Sequence, residues 1–189
     1  MRKIALSAAL AMLAAPGMAD EYSSAMQSYL NAEISAWMND PVIVQAIKAQ
    51  NERTADFGQA DIDRLDQTWR SEVGSGSSEI ITEVLENTAA AFLRDQLNEA
   101  GGVISEIFVM DARGLNVAAS DVTSDYWQGD EAKFQETFPV GADAVHLGEV
   151  EFDESSQTYH GQSSVAFIDP ETNQPIGAMT VGVNAEALL

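Results

Sequence analysis

The sequence predicts an α+β domain in which long amino-terminal helices pack on a five-stranded antiparallel sheet. Three observations favour this fold class. Residues 20–100 repeat apolar side chains at spacings of three and four, the apolar period changes to two after Gly102, and the strand-like segments follow one another as hairpins. The 189 residues contain no cysteine, so the apolar core of a single domain has to supply the stability.

Four amphipathic stretches before residue 100 predict helices. One face of the first helix carries Met26, Leu30, Ile34, Trp37 and Met38. Asp40 caps the second helix and Pro41 begins it, Asp61 caps the third, and the fourth spans residues 79–99. The glycine-serine run at residues 74–78 predicts a loop. It is not a phosphate-binding loop, because no lysine follows it and no strand precedes it.

Five segments with alternating apolar residues predict the strands. They are residues 103–110, 115–120, 145–152, 157–169 and 176–184. The turn DARG joins the first two into a hairpin, and the turn PETNQP joins the last two. Between the second and third strands lies the sequence SDYWQGDEAKFQETF, residues 124–138, which we call the insert. In this layout the insert lies over one face of the sheet, where it can form the wall of a pocket.

The first residues predict a secretory signal. MRK is positively charged, IALSAALAMLAA is an apolar run, and PGMA supplies a helix break and small residues. We expect residues 1–19 to be removed after Ala19 and the mature chain to reside in the periplasm. Residues 20–100 then form the helical part and residues 101–189 the sheet part of the same domain. No later apolar run approaches the roughly 20 residues of a membrane span.

Charge and histidine content argue against several functions. The chain has 30 acidic and 9 basic residues, and binding nucleic acid requires lysine and arginine to neutralise phosphates. We therefore expect no nucleic-acid partner. On an alternating strand His146 points away from Glu149 and Glu151, so we expect no metal site and no cofactor. Without a cysteine nucleophile, a G-x-S-x-G motif or a triad, we expect no enzyme.

Several strings resemble the single Cache domain, the periplasmic PAS-like sensor module that is also called a PDC sensor. These strings are WMNDPVIVQAIKAQN, FVMDARGLNVAASD, TSDYWQGDEAKF and IDPETNQPIGAMTVGVN, and the resemblance covers nearly all of the mature chain. It implies a ligand-binding sensor whose pocket lies between the sheet and the segments that cover it, and it implies pairing of two copies through the first helix. We expect the chain to depart from typical members in having a cleavable signal and no output domain. It also lacks an arginine near Trp127, which the amino-acid-binding double Cache receptors have, so the ligand class is not carried over.

The insert supplies most of the predicted ligand site. Tyr126 and Trp127 are predicted to form its lid and wall, and Phe138 ends the insert. Lys133 would meet a ligand carboxylate; alternatively, the acids Asp125 and Asp130 would meet a cationic amine beside the Trp127 ring. Small organic acids are common ligands of single Cache domains, which favours the carboxylate.

The long fourth strand supplies the predicted floor of the site. Tyr159 and Ser163 share one of its faces with Gly161, Val165 and Phe167. The period alone does not decide whether this face meets the pocket or the helices.

The sequence thus favours a sensor that binds a small molecule and presents its bound form to a membrane receptor or kinase. Two alternatives stay open. One is an interaction protein that dimerises through its first helix, with Trp37 and Met38 as contact residues and no ligand. The other is a hydrolase of unrecognised type. A polar-rimmed pocket favours the sensor, a filled insert favours the interaction protein, and a histidine bonded to a serine or an acid favours the hydrolase.

Overall fold

The computed structural model describes residues 16–154 and 157–189 of the chain. The first fifteen residues of the predicted leader lie outside them, and residues 16–19 belong to the first helix. The described helices are α1 (Pro16–Ala32), α2 (Pro41–Thr54), α3 (Gln59–Glu72), α4 (Glu79–Leu85), α5 (Thr88–Glu99) and α6 (Ala132–Gln135), with 3₁₀ turns at Ile34–Ala36 and Ala185–Leu188. In this part of the chain, no helix combines the length and apolar character that crossing a bilayer requires.

The sheet confirms the predicted α+β fold class with antiparallel strands. Its strands are β1 (Ile104–Asp111), β2 (Asn116–Ala119), β3 (Val145–Leu147), β4 (Glu151–Asp153), β5 (Thr158–Ile168) and β6 (Pro175–Asn184). The order is β2-β1-β6-β5-β3, with β4 also paired to β5, so the first and last long strands lie side by side in the centre.

The predicted count of five strands is wrong by one. The segment at residues 145–152 is not continuous, because Leu147 pairs with Ser163 while Glu151 pairs with His160. Three residues, 148–150, therefore lie opposite two, 161 and 162. The extra residue makes a bulge that divides the predicted strand into β3 and β4.

One face of the sheet, which we call the helical face, packs against α1, α2 and α5. Ile107, Val181 and Phe167 lie on this face, in one core cluster with Met26, Leu30, Ile43, Ile47 and Leu93 of the helices. At Gly161 the helix comes so close that an added Cβ would lie 2.8 Å from the sulfur of Met26. The close packing of α1 on β5 therefore depends on a glycine facing a methionine.

The opposite face of the sheet, the insert face, has its own core cluster. Phe108, Met110 and Ala178 from the strands pack with Phe134 and Tyr126 from the insert, and with Ile62, Trp69 and Val84 from α3 and α4. The insert is thus held between the sheet and the third and fourth helices, as a covering segment of this face.

Several helix boundaries follow from caps. Asp40 caps α2 as predicted, since its Oδ1 accepts a hydrogen bond from the backbone N–H of Val42 at 2.9 Å. Asp61 is not the cap of α3. The cap is Gly58, so the helix begins three residues earlier than predicted, and Asp61 instead accepts a hydrogen bond from the Gly58 N–H at 3.2 Å.

The predicted fourth helix is two helices, because Asn87 interrupts it. Its Oδ1 accepts a hydrogen bond from Ala90 N–H at 2.9 Å and so caps α5, while its Nδ2 donates to the carbonyl of Val117 in β2 at 2.9 Å. The apolar spacing continues across this break, which is why the sequence indicated a single helix.

Candidate functional site

Trp127 is fixed to the β1–β2 hairpin rather than free to act as a lid. Its Nε1 donates to the carbonyl of Arg113 at 2.8 Å, and its main chain pairs with Leu115. Beside this bond the hairpin and the insert touch backbone to backbone, since a Cβ on Gly114 would lie 2.5 Å from the Cα of Gly129. The contact leaves room only for glycine at both positions.

Tyr126 points the other way, towards the helices. It is 8% exposed, and its ring stacks on that of Trp69 in α3, with 5.6 Å between centroids. Burial raises the pKa of the Tyr126 phenol, and the neighbouring Asp111 raises it further, while Arg53 lowers it. The hydroxyl therefore stays protonated and lies among charged groups of α2 and the hairpin. Within residues 16–154 and 157–189 it makes no hydrogen bond.

Tyr126 forms the inner wall of an open cleft of ≈ 530 Å³ between α2, α3 and α4. Around it, the lining residues are Gln50, Arg53, Thr54, Phe57, Arg64, Leu65, Thr68, Glu72, Ser77, Ser78, Glu79, Ile80 and Glu83. A second cleft of ≈ 510 Å³ between α2 and α5 shares Tyr126, Gln50, Arg53 and Glu83 with the first. These four residues thus line both clefts, which adjoin each other.

A buried hydrogen-bond network supports the floor of the cleft. Asp111 is fully buried, and its carboxylate accepts hydrogen bonds from Thr54 Oγ1 at 2.9 Å and Gln50 Nε2 at 3.2 Å. Gln50 Nε2 also lies 3.1 Å from the carbonyl oxygen of Asn116. Burial raises the pKa of Asp111, although these hydrogen bonds oppose the shift. The network fixes Gln50 and leaves its Oε1 to accept a bond from Arg53 at 3.3 Å.

Of the two arginines that line the cleft, Arg53 is the one without an ion pair in the described residues. Arg64 lies 3.9 Å from Asp61. A guanidinium beside a protonated phenol can bind a carboxylate through charge-assisted hydrogen bonds. The glutamates at positions 72, 79 and 83 line the same cleft and would accept hydrogen bonds from a donor elsewhere on the ligand.

Asp66 joins α3 to the insert. Its Oδ1 accepts hydrogen bonds from the N–H groups of Tyr126 and Trp127 at 3.0 and 3.1 Å, and its Oδ2 accepts one from Arg70 Nε at 2.7 Å. Arg70 also pairs with Asp125 at 3.1 Å. The bond to Asp66 raises the pKa of Arg70, with further contributions from Asp125 and Asp130.

Of the remaining predicted insert residues, Lys133 and Phe138 lie on the sheet side. Lys133 pairs with Glu131 at 3.0 Å and lies over the ring of Phe108, 5.4 Å from its centroid, while Phe138 stacks on Phe134. Asp130 is exposed to solvent. None of these three side chains lines the cleft that contains Tyr126.

Tyr159 and Ser163 lie on the helical face, away from the insert. Tyr159 stacks on Tyr22 of α1 with 5.8 Å between ring centroids, and Ser163 is 3% exposed next to Val181. The structure thus divides the predicted site residues among three places: Tyr126 at the cleft, the rest of the insert at the sheet, and this pair under α1.

His146 meets the sequence criterion that favoured a hydrolase, because its Nδ1 lies 2.8 Å from Glu136 Oε2. Glu136 is 64% exposed in its side chain, and within the described residues no serine hydroxyl bonds to His146. The pair therefore lacks a nucleophile. The described residues also contain no cluster of three or more potential metal ligands.

Sequence reasoning missed Gln50, Arg53, Asp66, Trp69 and Asp111. Two of their contacts are local, Asp66–Arg70 and Gln50–Arg53, and spacings of four and three residues are common in helices. The hydrogen bonds that join α2 and α3 to the hairpin and the insert connect residues that are 54 to 66 positions apart.

Comparison with known proteins found similar solved structures but no matching family. No protein-family model and no curated protein matches the chain. The fold is similar to the sensor domain of the Vibrio cholerae histidine kinase DctB, at 17% identity and a TM-score of 0.46 over 91% of this chain and 55% of that one. It is also similar to the ligand-binding domain of the Campylobacter jejuni chemoreceptor Tlp3 in complex with 4-methylisoleucine. The identity is 12% and the TM-score 0.40, over 88% of this chain and 61% of that one.

A third similar structure is the ligand-binding domain of the Pseudomonas aeruginosa amino acid chemoreceptor PctC in complex with GABA, at 12% identity and a TM-score of 0.43, over 91% of this chain and 60% of that one. The chain thus spans between about half and two thirds of the length of these structures. The three structures are the sensor domain of a histidine kinase and the ligand-binding domains of two chemoreceptors.

Proposed function

We propose that the mature chain, residues 20–189, is a periplasmic single Cache domain that binds a small carboxylate and presents its bound form to a membrane receptor or kinase. The ligand site is the cleft between α2, α3 and α4, with Tyr126 as its inner wall. A homodimer formed through α1 is compatible with this arrangement, because the cleft lies away from that helix.

One observation carries the proposal. Tyr126 is 8% exposed and lines an open cleft together with Arg53, and within the described residues its hydroxyl makes no hydrogen bond. A ligand that replaces water at this hydroxyl gains about 1 kcal/mol from the hydrogen bond. A carboxylate does so while also pairing with the guanidinium of Arg53.

The shape of the cleft supports a small ligand. At ≈ 530 Å³ its volume lies within the range of small-molecule sites, and its open side faces solvent between α3 and α4. Phe57, Leu65 and Ile80 supply apolar surface along its walls. A short acid could therefore place its chain against these side chains and its carboxylate against Arg53.

The test is a thermal-shift screen of the protein purified after export, against acetate, pyruvate, L-lactate, L-malate, amines and amino acids. A compound that binds only the folded state raises the unfolding midpoint with concentration, by an amount that corresponds to about 2.7 kcal/mol at a hundred times its Kd. Tyr126→Phe removes only the hydroxyl and should weaken binding roughly five-fold. Arg53→Gln should weaken it roughly ten-fold to a hundred-fold.

The control is Glu52→Gln, which changes the charge of the neighbouring residue on α2 outside the cleft lining. It should leave the shift unchanged. A carboxylate shift that survives both cleft substitutions would place the ligand elsewhere. If no compound shifts a folded protein and the protein elutes as a dimer, the interaction protein becomes the better description, a result with which the packed insert aromatics Phe134 and Phe138 agree.

A further inference from the structure

Helix α3 carries two different functional faces. Arg64, Leu65, Thr68 and Glu72 line the cleft, whereas Asp66, Trp69 and Arg70 contact the insert. Within each set the residues are separated by one, three or four positions, which places them on adjacent sides of the helix. A displacement of α3 by a ligand in the cleft would therefore reach the insert through three side chains.

Helix α3 holds the insert through a few hydrogen bonds. Asp66 is 8% exposed, and a single oxygen of its carboxylate accepts both successive N–H groups of Tyr126 and Trp127. Trp69 adds a hydrogen bond from Nε1 to the carbonyl of Thr123 at 2.8 Å. These contacts set where the Tyr126 ring lies in the cleft, because they hold its own backbone.

Arg70 keeps the carboxylate of Asp66 in place. It bonds to the oxygen that the insert amides leave free, and it bridges to Asp125 at the start of the insert. The side chain is 57% exposed, so it can be replaced without opening the core. Asp66 and Arg70 together form a two-residue link between helix and insert.

We propose that Asp66 and Arg70 are positioning residues that hold Tyr126 in the cleft and couple ligand binding to the insert. The role in ligand binding rests on the function proposed above for the cleft, whereas the holding of Tyr126 does not. A ligand that binds more tightly to one position of α3 shifts the insert with it, in proportion to its different affinity for the two arrangements. Ligand binding in the cleft thereby changes the position of the surface around Asp125 and Asp130, on the far side of the insert.

The first test needs no ligand. Amide hydrogen exchange is followed by NMR for Tyr126 and Trp127 in the free protein. Asp66→Asn keeps the shape of the side chain but removes its charge and turns an N–H₂ group towards either Arg70 or the insert amides. We expect both amides to exchange at least roughly ten-fold faster, since hydrogen bonds to charged groups are the stronger ones.

The matched control is Asp63→Asn on the same helix. Asp63 is exposed, and within the described residues its side chain accepts one hydrogen bond, from Gln59, so exchange at residues 126 and 127 should stay at the wild-type rate. Arg70→Gln should accelerate the same two amides by a smaller factor, without changing exchange in β1 or β6. If Asp66→Asn does not fold, the exchange rates of Arg70→Gln test the proposal: faster exchange at Tyr126 and Trp127 supports it, and wild-type rates contradict it.

Wild-type exchange rates at both amides in a folded Asp66→Asn protein would overturn the proposal, and so would a uniform acceleration throughout the chain. The second test measures the Kd of each compound that raises the wild-type unfolding midpoint in the screen. Asp66→Asn should raise that Kd more than three-fold with Arg53 intact. An unchanged Kd would refute the coupling alone, whereas silence of the wild-type protein in the screen would refute the proposed function and leave the exchange result to decide the positioning role.

Discussion

The contact between the β1–β2 hairpin and the insert can be tested by the substitution Gly114→Ala, which adds a single methyl group. Gly114 has φ = +78°, and a Cβ there would lie 2.5 Å from the Cα and 2.6 Å from the N of Gly129. Such distances to backbone atoms cannot be relieved by a side-chain rotation. Gly114→Ala must therefore push the insert away from the hairpin.

The cost follows from what that displacement breaks. The positive φ alone costs about 1 kcal/mol for alanine. The Gln128 N–H bond to the Gly114 carbonyl and the Trp127 Nε1 bond to the Arg113 carbonyl, each 2.8 Å long, would lengthen at about 1 kcal/mol apiece. We therefore expect Gly114→Ala to lower the free energy of unfolding by about 3 kcal/mol.

The matched control is Gly76→Ala. Gly76 has nearly the same φ, +81°, but nothing lies within 4 Å of an added Cβ. Gly76→Ala should lower the free energy of unfolding by only about 1 kcal/mol, the cost of a positive φ for alanine. The free energies of both variants would be measured by urea unfolding followed by far-UV circular dichroism. Equal costs for the two substitutions would show that the hairpin does not support the insert as described.

Two further predictions concern polar residues of the core. Burial raises the pKa of Asp111, so the folded protein retains a proton that the unfolded chain loses, and stability decreases as pH rises from the ordinary aspartate value through the raised one. Asp111→Asn cannot titrate there, so its cost in urea unfolding should be smaller at about pH 7 than at about pH 4, and a cost that grows with pH would contradict the assignment. Asn87→Ala removes the cap of α5 and the Nδ2 bonds to the carbonyls of Val117 and Glu83. It should cost about 2–3 kcal/mol against about 1 kcal/mol for Ser78→Ala, which removes the cap of α4. Equal costs in the same assay would mean that the Nδ2 bonds contribute nothing.

Local signals were enough to predict most of the fold. The apolar period of two located β1, β2, β5 and β6 within one or two residues, and Asp40 before Pro41 marked the start of α2. The split of the fourth helix at Asn87 was not visible, because Val84, Leu85, Ala89, Phe92 and Leu93 keep a helical spacing across it. What breaks the helix is a bond to Val117, thirty residues further along the chain.

The site was harder to predict for the same reason. The insert was recognisable from its aromatic and charged residues, and Tyr126 does line a cleft. The cleft itself lies on the other side of Tyr126 from the sheet, and its cation, Arg53, comes from a helix that showed only an apolar pattern. Alternation along β5 placed Tyr159 and Ser163 on one face correctly. That this face meets α1 is shown by contacts distant in sequence, Tyr22 against Tyr159 and Met26 against Gly161.

That last contact constrains how the amino-terminal helix can move. The sulfur of Met26 occupies a notch over Gly161 with the methyl of Val150 at its edge, so sliding α1 along its own axis would force Met26 over the flanking strand residues. Gly161 thus fixes the height of α1 on the sheet at Met26, and any movement of the helix has to keep this notch filled.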